Sequence, residues 1–248
     1  MQLGIAAVHP RIVLLALVSF VLGTDSVVIV GMLSDMAEAL KVTEAAAGQL
    51  VSLFALTYGI GAPLFAAVSG RWPPDRVLIG ALGFFCAANV GCAISLTFPF
   101  LLTFRILAGC SAAVCSPLAF TLAAALAADD KRGKALSVVA IGGTAAIIIG
   151  GPLGTWIGEH WGWRMSFGVV AAAAGLAATA LSFSGRTRLP ASAPPSLKTR
   201  LAPLFNPRVL SAFVPVFLAV LGFHSVYTYL APMLQANLRI GDISGMLI

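Results

Sequence analysis

Long apolar runs along the chain are separated by short polar breaks. Seven runs reach the length of about 20 apolar residues that a lipid-spanning helix needs: roughly 11–33, 47–69, 77–97, 99–127, 134–158, 165–185 and 209–234. The runs are continuous and lack a two-residue alternation, so they predict helices rather than barrel strands. The expected class is all-α and transmembrane. The first run is longer than the h-region of a signal peptide, about 7–15 residues, and it contains Asp25. It is therefore expected to stay as an uncleaved first helix.

One polar break stands apart in length. GRTRLPASAPPSLKTRLAPLFNPR, ending at Arg208, combines Pro, Ser, Ala and basic residues in an extended, solvated linker. It divides the chain into a six-helix unit (1–185), a basic linker (186–208) and a segment (209–248) that opens with a seventh helix. After Gln235 the chain is less apolar and stops at Ile248, which reads as a truncated second unit.

Composition supports lipid as the solvent. Hydrophobic residues make up 59% of the chain and charged residues 10%, against about 25% charged in soluble domains. The +6 net charge is concentrated in the breaks. With the N-terminus inside, inner segments hold Arg11, Arg71, Arg76, Lys131, Arg132, Lys134 and the basic residues of the linker. Outer segments hold only Lys41, Arg164 and Arg239. The positive-inside rule then predicts a cytoplasmic N-terminus. No stretch joins basic residues to aromatic stacking platforms, so no nucleic-acid partner is expected. The outer segment carrying Asp35, Glu38 and Glu44 is expected to be solvated loop. Trp161 and Trp163 sit where an interfacial belt belongs.

Charges inside apolar runs are costly and so carry information. Asp25 lies about eight residues from the outer end of the first helix, ~12 Å deep, and Arg105 about six residues into the fourth, ~9 Å deep. Side chains at matching depths can pair. The pair reads as a static salt bridge or as a proton site in which Asp25 changes protonation with state. A third option is snorkelling of Arg105 to the interface. The fifth run, AIGGTAAIIIGGPLGTWIGEH, repeats glycine at 150, 154 and 158. That face permits close backbone contact, and Pro152 beside Gly151 removes a backbone bond and bends the helix. The face reads as tight packing, as a bendable seam between moving halves, or as both.

Polar and aromatic residues in the spans offer candidates for a binding cavity: Thr24, Tyr58, Thr144, His224 and Tyr227, with Thr57, Asn89 and Tyr229 as further members. Most such groups simply bond within or between helices. Cys86, Cys92, Cys110 and Cys115 form no CxxC pair and have no histidine at ligand spacing, so no metal, disulfide or cofactor is expected. The sequence contains no GxxxxGK[ST] nucleotide loop, nucleophile–base pattern or zinc-protease motif. These readings point away from an enzyme.

Several segments together resemble the major facilitator superfamily, specifically its drug–proton antiporter and sugar-efflux branch. FVLGTDSVVIVGMLSDMAEALKVTEAAAGQLVSLFALTYGIGAPL is similar to the opening of arabinose-efflux-type permeases. RILAGCSAAV resembles the fourth-helix arginine motif and implies that role for Arg105. Gly150, Gly151, Pro152 and Gly154 resemble the exporter motif of helix five, and YTYLAP the start of the family's second half. The loop between helices two and three departs from the family's G-x-x-x-D-R-x-G-R-[KR]. Ala66 replaces the first glycine, Gly70 the acid, and Pro73, Pro74 and Asp75 the Gly-Arg-basic end, leaving Arg71.

The resemblance implies a six-helix N-terminal bundle plus the start of a second bundle, within a twelve-helix fold of parallel halves and inverted repeats. Asp25 and Arg105 would then flank a central cavity and couple protons to efflux of a small organic solute by alternating access. The implied home is a bacterial inner membrane. The implied partners are a small-molecule substrate, protons and the lipid bilayer, with association with another bundle if the truncation is real. The alternative is a transport-inactive or regulatory membrane fragment.

Overall fold

The computed structural model describes residues 9–69, 72–185, 206–207 and 209–222. Two compact units divide the chain, Met1–Pro194 and Pro195–Ile248. The described part of the second is one apolar helix, Val209–Gly222. The remainder of the predicted seventh run lies outside the described residues, as do His224, Tyr227, Arg71 and nearly all of 186–208.

The first unit is all-helical across its described residues, with six spans long and apolar enough to cross a bilayer. They are α1 (Pro10–Gly31), α3 (Glu44–Ser69), α4 (Pro74–Ala93), α5 (Phe98–Leu126), a composite fifth span and α8 (Trp163–Phe183). Proline stands at the start of α1, α4 and α5, where its missing N–H costs nothing. His9 Nδ1 accepts the Arg11 backbone N–H at 3.3 Å and caps α1. Predicted and observed ends differ by a few residues, as fraying helix termini allow.

Two regions depart from the expected pattern. The outer segment after α1 is not loop. It folds into α2 (Leu33–Leu40), which buries Met36 and Ala37 and ends at Lys41 in the left-handed conformation, φ 54°. Met32 and Met36, one turn apart, dock this short helix. The fifth span is three pieces: α6 (Arg132–Ala145), a π-helical segment (Ala146–Gly150) and α7 (Gly151–Trp161). The Gly151 N–H reaches back to the Ala146 carbonyl. This wider turn comes just before Pro152, which lacks a donor and whose ring crowds the preceding turn of a regular helix. Gly162, at φ 87°, makes the sharp exit into α8 that a side chain would strain.

Packing follows stripes spaced alternately three and four residues apart. On α1 the buried stripe is Arg11, Leu15, Val18, Leu22, Asp25, Ile29 and Met32. On α4 it is Asp75, Leu78, Leu82, Phe85, Asn89 and Cys92, and on α5 it runs from Leu101 through Arg105, Ala108 and Ala112 to Cys115. α1 packs on the fifth span, α3 on α5, and α4 on both α5 and α8. Small residues let these backbones approach closely.

Five glycines of the fifth span face α1. An added Cβ at Gly150 would strike Thr24, one at Gly154 Val28, one at Gly158 Met32, and one at Gly151 would lie 3.0 Å from Val27. At Gly142 it would strike the Ala16 carbonyl, whereas at Gly143 it would meet nothing within 4 Å. Gly142→Ala is therefore expected to cost about 1–3 kcal/mol by forcing the helices apart. Gly143→Ala should gain up to about 1 kcal/mol from helix propensity. Unfolding midpoints in detergent check the contrast, and equal midpoints would contradict this packing.

Candidate functional site

The stripes of α1 and α5 bring the two intramembrane charges together. Arg105 Nη1 donates to Asp25 Oδ2 at 2.8 Å, and both side chains are fully buried. Helical spacing makes this meeting possible. Asp25 occupies a core position of α1 and Arg105 a core position of α5, each flanked by apolar residues three and four positions away. Of the alternatives open for Arg105, snorkelling is overturned: the guanidinium points inward to a carboxylate. The reason is physical. A core-facing stripe position offers no path along the helix surface to the interface, and Asp25 compensates the charge.

Aromatic rings complete the surroundings. The guanidinium carbon lies 4.2 Å from the centroid of Phe54, on α3, and 5.8 Å from that of Phe167, on α8. Both rings can attract the cation through their π faces. Phe54 stacks nearly parallel to Tyr58, with centroids 6.4 Å apart and 4° between planes. Phe54 is buried, whereas Tyr58 is exposed. A chain of contacts thus links the buried pair to the surface of α3.

The pairing is incomplete. Asp25 Oδ1, Arg105 Nε and Arg105 Nη2 are buried without a hydrogen-bond partner among the described residues. A guanidinium and a carboxylate can form a two-bond fork. Here one bond is made, leaving donors and an acceptor available for exchange with water, a proton or a ligand.

The other candidates are spread through the unit. Thr24 Oγ1 donates to the Phe20 carbonyl at 2.8 Å and packs where α1 meets Gly150. Thr144 is exposed and donates to the Ala140 carbonyl at 3.3 Å. Pro152 follows the π-helical segment. The four cysteines are free, and no group of metal-binding side chains occurs among the described residues.

Two interactions have no counterpart in the sequence-based expectations. Arg11 at the start of α1 pairs with Asp75 at the start of α4, and both are buried. Asp75 is therefore a partner of α1. At the opposite end, Arg164 donates twice to the Ser95 carbonyl, at 3.2 and 2.9 Å, and caps the exit of α4.

Residues 15–248 match the Major Facilitator Superfamily. The chain belongs to this family. It is 36% identical to the uncharacterized MFS-type transporter YbcL of Bacillus subtilis strain 168 over 239 residues, which is 96% of this chain and 60% of the relative. A chloramphenicol resistance protein of Streptomyces lividans is 36% identical over 93% of this chain and 59% of its own length. The inner membrane transport protein YdhP of Escherichia coli K12 is 34% identical, with coverages of 90% and 57%. The chain thus spans about three-fifths of the length of these curated superfamily relatives.

Solved superfamily structures share the fold. A bacterial homolog to the human lysosomal transporter Spinster, inward-facing and occupied, superposes with TM-score 0.70 at 20% identity. The match covers 90% of this chain and 53% of that one. The inward-open xylose transporter XylE of E. coli gives 0.58 at 20% identity, covering 90% and 56%. Family, fold and six spans make this an integral, multi-pass membrane protein.

Proposed function

We propose that the chain supplies the first bundle of a proton-coupled exporter of small organic solutes working by alternating access. The observation that carries this reading is the single-bonded, fully buried Asp25–Arg105 pair bridging α1 and α5. Ionisable residues at such depth mark ion and proton pathways. A small rotation of α1 against α5 breaks the one bond and frees Asp25 to exchange a proton. Arg105 then biases which state of the carboxyl is held.

Similarity to a chloramphenicol resistance protein supports export and makes chloramphenicol the first substrate to assay. α3 and the fifth span are the least buried of the six. Tyr58 and Thr144, exposed on those two spans, are the proposed substrate-facing groups; His224 and Tyr227, outside the described residues, are proposed as substrate-binding residues from the sequence alone. Thr24 belongs to the same proposed set and also supports packing. Gly150, Gly151, Pro152, Gly154 and Gly158 let the fifth span slide and bend against α1 as the bundle rocks; Arg71, outside the described residues, is proposed for gating from the sequence alone. The Lys and Arg distribution supports a cytoplasmic N-terminus and a cytoplasmic 186–208 linker. The relative named as an inner membrane protein supports that membrane as its home.

Asp25→Asn tests the mechanism in a polypeptide of the relatives' full length that carries this chain. Everted vesicles should lose chloramphenicol transport driven by a pH gradient, while counterflow without a gradient persists. Gradient-driven transport at the parental rate would sink the role given to Asp25.

A further inference from the structure

A second feature of the first unit stands clear of the buried pair. A cleft of about 340 Å³ runs along the flank formed by α3, α4 and the middle of α5. Its volume lies at the lower end of small-ligand sites, about 300–1,000 Å³. Arg76, Gly80 and Phe84 line it at four-residue intervals on α4. Trp72 stands at its mouth, and Phe65 and Cys110 close it from α3 and α5.

Arg76 to Phe84 is eight residues, or ~12 Å of helix. That is most of the depth of one leaflet, about 15 Å of hydrocarbon. At Gly80 an added Cβ would meet nothing within 4 Å, so the floor of the cleft is open space. Trp72 and Phe84 are 56% and 49% exposed, forming aromatic rims on the outside of the unit.

The polar end is equally specific. Arg76 is exposed and has no ion-pair partner among the described residues. Its neighbour Asp75 is turned inward to Arg11 and buried, leaving the outward charge at this end of α4 positive. An indole and a guanidinium at the rim, beside an apolar trough that spans most of one leaflet, match the polar and apolar parts of an anionic phospholipid. The headgroup phosphate meets Arg76, Trp72 packs at the interfacial level beside it, and an acyl chain lies over Gly80 toward Phe84 and Cys110. Basic recesses between transmembrane helices recognise anionic headgroups in this way. We propose that this cleft is a binding site for one anionic phospholipid. On the orientation proposed above, that lipid belongs to the cytoplasmic leaflet. The binding itself does not depend on transport.

The test uses the purified chain in nanodiscs of mixed phosphatidylglycerol and phosphatidylcholine with matched acyl chains, followed by native mass spectrometry of retained lipid. One phosphatidylglycerol should be retained about fivefold over phosphatidylcholine, the factor one surface cation contributes toward anionic lipid. Arg76→Gln should abolish the preference and Arg76→Lys should keep it. Gly80→Leu, which fills the floor, should reduce retention of both lipids. A phosphatidylglycerol carrying a diazirine in its acyl chain should label Phe84 or Cys110. Arg76 is a surface residue, so its variants test the site even where Gly80→Leu lowers the yield of folded protein. Unchanged preference in Arg76→Gln, labelling confined to other spans, or displacement of the lipid by millimolar inorganic phosphate would each overturn the proposal.

Discussion

Arg105→Ala is expected to cost about 3–5 kcal/mol, the range measured when one member of a buried ion pair is removed. Total stabilities run to only about 5–15 kcal/mol, so most of the protein should fail to fold or should unfold far below the parental midpoint. Arg105 is fully buried and donates to Asp25, whose other oxygen already lacks a partner among the described residues. Deleting the guanidinium leaves the fully buried Asp25 carboxylate without its partner and removes the cation that lay over Phe54 and Phe167. It also leaves a cavity where the largest fully buried side chain among the described residues stood. The double variant Asp25→Leu/Arg105→Met removes both charges and roughly keeps the volume. It should regain parental stability to within about 1 kcal/mol or exceed it, because a well-packed apolar pair avoids the desolvation that an ion pair incurs. Unfolding midpoints in detergent decide this, and a single variant as stable as its parent would show that the pair does not hold α1 to α5. The same double variant separates fold from function. It should fold, and a full-length transporter carrying it should lack proton coupling.

The spans were legible in the sequence because lipid imposes a minimum length on apolar runs, and polar breaks mark their ends. Asp25 and Arg105 were legible as a pair through depth alone. The stripe spacing supplies a second signal that points to the same residues. Leu22, Asp25 and Ile29 on α1, and Leu101, Arg105 and Ala108 on α5, alternate by three and four as core positions do. Arg11 and Asp75 sit on the same kind of stripe. The positive-inside rule, however, counts charges without asking which face they occupy, so Arg11 read as a topology marker. The glycines at 150, 154 and 158 announced close contact but not with what, since spacing on one helix does not name its neighbour. The structure places α1 there. The π-helical segment had only Pro152 as a signal, and a proline predicts a bend more readily than a particular hydrogen-bond pattern. α2 was legible only in Met32 and Met36, too short a period to outweigh three nearby acids.

Arg11→Asp and Asp75→Arg should each be severely destabilising alone, at about 3–5 kcal/mol, and should largely cancel when combined. Each single reversal forces two like charges together in a buried site. The combined variant restores an opposite pair, and two features of this site make the exchange nearly even. Both residues lie in the first turn of their helices, directly after Pro10 and Pro74. The macrodipole favours an acid in a first turn by about 0.3–1 kcal/mol. The exchange therefore loses that term at α4 and gains it at α1. Both residues also begin parallel spans at the same end of the unit, so moving one arginine from position 11 to position 75 leaves the positive charge at that end unchanged and should not disturb topology. The Asp25–Arg105 bond is fourteen residues further along α1, ~21 Å away, beyond the range at which substitutions normally couple. Unfolding midpoints of the two single variants and the double variant give the coupling directly. Additive losses would show that the N-terminal end of α1 is not held by this pair. Recovery in the double variant would establish α1 as a helix pinned at two points, through Arg11 to α4 and through Asp25 to α5. On the mechanism proposed above, the second pin would then release while the first keeps the helix seated.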